Sequence, residues 1–129
     1  MFYIFDHSVV TANTEADPHV EVMKLSAGVI HQVDILFQDG CDHLANVQIF
    51  HGGHQVWPSN RGKAFRGNAT AVSFREYHEL EPGGTELTAL MWGDGSDLAE
   101  VIIQIGVLPE KIIQPLSFDE LLAAAAGIE

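Results

Sequence analysis

Residues 28–58, GVIHQVDILFQDGCDHLANVQIFHGGHQVWP, decide how this chain folds. Within residues 29–38, the odd positions Val29, Val33, Ile35 and Phe37 share one side of a pleat, while Gln32, Asp34 and Gln38 take the other. A period of two puts one face in a core and one in water, so it predicts a half-buried strand. Asp39-Gly40-Cys41-Asp42 then supplies a turn, because Asp-Gly tolerates the positive φ that tight turns need. A second strand-like segment follows. His51-Gly52-Gly53-His54 reads as a short polar break, and Trp57-Pro58 as an aromatic stop.

The pattern repeats on both sides. Residues 2–10 (FYIFDHSVV) are aromatic and β-branched, which favours a strand or an extended arm. A polar loop with a proline covers residues 11–19, and residues 20–25 form a short strand candidate. After Pro58, residues 59–67 (SNRGKAFRG) make a Gly-punctuated basic loop with no periodicity. Alternation resumes over residues 69–80, with Val72 and Phe74 on one side. Glu81-Pro82-Gly83-Gly84 is the strongest turn signal in the chain. Glu86–Trp92 and residues 99–108 follow, their inward faces formed by Leu87, Ala89 and Met91, then by Val101, Ile103, Ile105 and Val107. Short alternating strands without an intervening helical pattern predict an all-β fold, an antiparallel β-sandwich of jelly-roll-like or immunoglobulin-like kind. The Cys-Trp-Cys pattern of antibody domains is absent.

Three segments result: a strand or arm with its loop at residues 1–19, a β-sandwich at 20–109, and an extended linker with a short α-helix at 110–129. The helix is predicted from Ser117-Phe118-Asp119-Glu120, which has capping-box spacing, and Gly127 is a natural stop. Phe118, Leu121, Leu122 and Ala125 line one stripe of it. A helix of about ten residues is marginal alone in water, so that stripe must dock, on its own sandwich or on a neighbouring copy.

With 129 residues and 47% apolar content the chain suits one globular core. The opening MFYIFDHSVV lacks the positive region of a secretory signal. A net charge of −12 argues against general binding to nucleic acid or anionic membrane, both of which need a positive footprint. The charge is segregated, however. Residues 43–75 contain no Asp or Glu but hold Arg61, Lys63, Arg66 and Arg75; the remainder sets two cations against eighteen acids. Such a surface suits contacts between a basic edge and the acidic surface of a neighbour, beside the simpler role of relieving self-repulsion.

Chemistry finds little footing. A lone Cys41 between acids has the wrong surroundings for a nucleophile. His51 and His54 form an HxxH pair across two glycines, short of the three or four converging ligands that zinc needs. The acidic turns at Asp39…Asp42 and Asp94…Asp97 do not match a calcium loop. No nucleophile elbow, phosphate loop, dinucleotide fingerprint or HExxH motif occurs. The expectation is a protein that is not an enzyme and needs no cofactor.

The run GVIHQVDILFQDGC…VQIFHGGHQVWPSN, a strand through Tyr77…Leu80, LTALMW and a last strand before Leu108-Pro109 together resemble small acidic β-sandwich proteins encoded among the structural genes of tailed phages and prophages. The likeness rests on Gly40-Cys41 and on Gln55…Trp57-Pro58-Ser59-Asn60, and covers about residues 20–109. Gly93 and Glu100 depart from it, where Asn and His would stand. The resemblance implies a non-catalytic virion part: a capsid decoration (cement) protein, or a minor head or tail component assembled in the host cytoplasm. Its implied partners are further copies of itself and the major capsid protein or other virion proteins, with no nucleic acid or membrane contacted directly. Arg61, Lys63, Arg66, Arg75, Phe118, Leu121 and Leu122 are the expected contact residues. The competing expectation is a small metal- or carbohydrate-binding module around Trp57, His51 and His54.

Overall fold

The computed structural model describes residues 1–109, which fold into eight strands. These are β1 (Phe2–Ser8), β2 (His19–Lys24), β3 (Gly28–Phe37), β4 (Asn46–His51), β5 (His54–Trp57), β6 (Thr70–Leu80), β7 (Glu86–Trp92) and β8 (Glu100–Pro109). They form two four-stranded sheets, the first in the order β1-β8-β3-β6 and the second in the order β2-β7-β4-β5. Every pairing is antiparallel. The pairs are nested: β1 lies on β8, β2 on β7, β3 on β6 and β4 on β5. The described residues contain no helix.

One core joins the two sheets. Val101, Ile103, Ile105 and Val107 from β8, with Leu87, Ala89 and Met91 from β7, are fully buried in a single cluster with Met23, Val33, Ile35, Val47 and Ile49. Each large apolar side chain so removed from water contributes about 1.5–3 kcal/mol, which is what the alternation of β7 and β8 supplies. The first nineteen residues are no free arm, because β1 pairs with β8 along its whole length.

Two expectations need correction. Val29 does not share the core face of Val33, Ile35 and Phe37; Ile30 does. The register of β3 slips between Ile30 and Gln32 against both neighbours: against β8 the extra residue is His31 on β3, whereas against β6 it lies on β6, where Glu76 and Tyr77 face His31 alone. A bulge of this kind reverses the phase of alternation for everything beyond it. Second, the break at residues 51–54 is a hairpin. Gly52, at φ 64°, turns the chain so that His51 faces His54, and β5 returns as a short edge strand. The helix expected at the C-terminus, with Phe118, Leu121 and Leu122, falls outside the described residues.

Gly28, at the head of the decisive stretch, is required by close approach. A Cβ there would sit 2.2 Å from the carbonyl oxygen of Leu108, so no other residue fits without moving β8.

Candidate interaction site

The basic loop is built outward from two glutamines. Gln48 and Gln55 lie on the face of the second sheet that points away from the core, yet each is only 9% exposed. The Gln55 amide nitrogen donates to the carbonyl oxygens of Pro58 (2.8 Å), Lys63 (3.1 Å) and Asn60 (3.3 Å), while its oxygen accepts from the Gly62 N–H at 3.1 Å. Gln48 donates to the same Lys63 carbonyl at 2.9 Å. The chain leaves β5 through a cis Trp57–Pro58 bond and turns at residues 60–63, where the Lys63 N–H meets the Asn60 carbonyl. It rejoins the sheet where Phe65 exchanges both backbone bonds with Val47. A loop without periodicity thus has a fixed shape, because two buried side chains satisfy its backbone groups.

That shape distributes the predicted contact residues. Lys63 and Arg66 come together on a cavity of about 410 Å³ beside the start of β4 and the end of β7, with His43, Trp92, Glu15 and Asp94. Arg61 donates to Nδ1 of His54 at 3.3 Å. Arg75 stands apart, exposed on β6 opposite Gln32. Among the described residues the one ion pair is His19–Glu21, at 3.0 Å; Arg61, Lys63, Arg66 and Arg75 lie beyond ion-pair distance of every described carboxylate. In a chain of net charge −12, none of these four cations has a carboxylate partner among the described residues.

Beneath the loop lies a cluster of rings. Trp57 packs edge-on against Phe74 (5.7 Å between centroids) and His78 (5.4 Å), and Phe65 stacks on Phe74 at 5.7 Å. Only 4% of Trp57 is exposed, so it plugs the core edge and offers no stacking face to a sugar. His51 is equally committed. Its Nε2 donates to the Gly84 carbonyl at 2.9 Å and its Nδ1 accepts from Nε2 of His78 at 2.9 Å, leaving neither nitrogen for a metal. Among the described residues no three His, Cys, Asp or Glu side chains converge as a metal site would require. Burial, and secondarily His51, hold His78 below the usual imidazole range, with Glu76 opposing.

The Gly40-Cys41 turn has a structural role. Asn68 Oδ1 accepts the N–H groups of Gly40 (2.9 Å) and Asp42 (3.0 Å), which pins the turn to the far end of the basic loop. Cys41 is fully buried; desolvation raises its thiol pKa, and the Asp42 charge adds to this. Set against protein-family models and against curated proteins, the chain matches none.

The sequence reading found the cations but missed their supports. Gln48, Gln55 and His78 carried no signal as single residues. In hindsight, Gly52-Gly53 is a hairpin signal, and that hairpin is what brings Gln55 alongside Phe50.

Proposed function

We propose that this chain is a non-catalytic virion structural protein that acts by gripping an acidic surface on a neighbouring subunit. The observation that carries the reading is the set of cations on and beside the loop at residues 58–66, held in a fixed frame by Gln48 and Gln55 and unpaired with any described carboxylate. Preorganised charge loses little entropy on association, so such a loop contributes more than flexible surface cations would.

The nested strand order adds support. It is that of a jelly roll, an eight-stranded architecture used by viral capsid domains as well as by lectins and cupins. Fold alone does not assign function. The resemblance to phage structural proteins, carried by Gly40-Cys41 and Gln55…Trp57-Pro58-Ser59-Asn60, narrows the choice to the first. Those residues are here a pinned turn and the hub of the loop.

Density-gradient fractions of particles from the phage or prophage that encodes the chain provide the test. The protein is expected to band with assembled particles at constant stoichiometry, its gene lying beside capsid, portal or terminase genes. A protein that stays at the top of the gradient while particles band without it contradicts the proposal.

A further inference from the structure

The four sheet edges are not equally defended. β5 is four residues long and ends at Pro58. β2 carries Lys24 and a half-buried Glu21, and β6 carries Arg75, Glu76 and Glu79 along an irregular ladder. Short length, charge, proline and irregularity are the usual means of keeping an edge from pairing. β1 has none of these over residues 2–5, FYIF. Its Phe2 is 68% and its Ile4 63% exposed, and no described strand lies on its outer side.

The backbone pattern shows what that edge offers. Met1 and Val107 exchange both hydrogen bonds, at 2.8 and 2.7 Å. Bonded and non-bonded pairs alternate along an antiparallel ladder, so Tyr3, Phe5 and His7 spend their bonds on β8. Phe2, Ile4, Asp6 and Ser8 therefore turn their N–H and C=O groups to the open side. Phe2 is also held in place: its ring lies over Gly106, whose Cβ would come within 2.7 Å of it, and packs edge-on against His31 at 5.7 Å.

We infer that β1 pairs antiparallel with β1 of a second copy, about a two-fold axis at Ile4, joining the two first sheets into one of eight strands. Registers centred on Ile4, Phe5 or Asp6 each bond at least three of these residues, and charge selects among them, the last setting Asp6 directly opposite its own copy. Centring on Ile4 sets Phe2 opposite Asp6 and Tyr3 opposite Phe5, with the two Asp6 carboxylates roughly 14 Å apart by strand rise and spacing. Centring on Phe5 brings them to a diagonal of about 7–8 Å, inside the screening length, which a chain already at −12 disfavours. The pairing deepens the assembly reading by naming a self-contact, but its geometry stands on β1 alone.

Sedimentation velocity in salt of roughly 1 M, where surface charge is screened, tests it on the full chain. The wild type is expected to be dimeric, and Ile4→Lys, at an exposed position, monomeric with an unchanged circular dichroism spectrum. Ile4→Cys adds a readout of register. The Cα atoms of a bonded antiparallel pair lie about 5.5 Å apart, within disulfide range, so this variant should cross-link to itself under mild oxidation. Ser8→Cys should not, and the buried Cys41 stays silent. A wild type that is monomeric throughout overturns the inference, including the case in which residues 110–129 of the same chain cover β1. A dimer that survives Ile4→Lys overturns it too. Co-banding with particles in the absence of a dimer would leave the virion reading standing and this inference fallen; a dimer that never bands with particles would do the reverse.

Discussion

His78 donates from Nε2 to Nδ1 of His51, 2.9 Å away, and His51 in turn donates from Nε2 to the carbonyl oxygen of Gly84. A carbonyl can only accept, so the direction of both bonds is set by Gly84. The chain of bonds runs from β6 in the first sheet, through the end of β4 in the second, to the 81–84 turn. It fastens the two sheets together where Trp57 closes the core.

Acid should loosen that fastening. Protonating His78 would put a charge in a partly buried site against its neighbour His51, which the folded state disfavours. Burial and His51 lower the pKa of His78, so the unfolded chain takes up this proton at higher pH than the folded one. The stabilisation is therefore complete above the ordinary histidine value of about 6.5 and is lost as pH falls through the lowered folded value. Thermal melts from about pH 7.5 to pH 5 should show a steeper loss in the wild type than in His78→Gln. Parallel curves would contradict this.

Gln55 is expected to matter more than its place on an outward face suggests. Gln55→Leu leaves the carbonyl of Pro58 and the N–H of Gly62 without their partner, and the Asn60 carbonyl with the Lys63 N–H alone, at a cost of about 2–3 kcal/mol. Urea unfolding should show the loss. Hydrogen exchange should show faster exchange confined to residues 58–64, while β7 and β8 keep their protection.

Gly28→Ala should be among the most damaging single-methyl additions in the chain. The new Cβ would meet the Leu108 carbonyl at 2.2 Å, and backbone cannot swing aside as a side chain can. A loss of about 3 kcal/mol or more is expected by denaturant titration. Gly53→Ala, where nothing lies within 4 Å, is the control and should stay within about 1 kcal/mol of the wild type.

The fold was legible wherever strands were regular. β7 and β8 alternate without interruption, so Leu87 to Met91 and Val101 to Val107 announced their core faces directly. β3 was half legible, because a bulge at His31 depends on the strands on either side and no local pattern shows it. β5 was hidden by its length: four residues, one of them a glutamine that looks like surface, leave no period to detect. The candidate site divides the same way. Charge segregation is a property of composition and was visible, but the grouping was not. Arg75 rides on β6, while Lys63 and Arg66 meet only because two glutamines fold the loop back.

The most direct test of the central claim compares two variants matched in charge. Lys63→Ser with Arg66→Ser, and Ala71→Glu with Ser73→Glu, each take the formal net charge from −12 to −14, but only the first removes cations from the loop cavity. Light scattering at moderate ionic strength, where screening reaches about 10 Å, should find the wild type and the Ala71/Ser73 variant associated beyond their mass in high salt. The Lys63/Arg66 variant should remain at its high-salt mass. Equal association of all three, or a wild-type mass that does not change with salt, would contradict a function based on these cations.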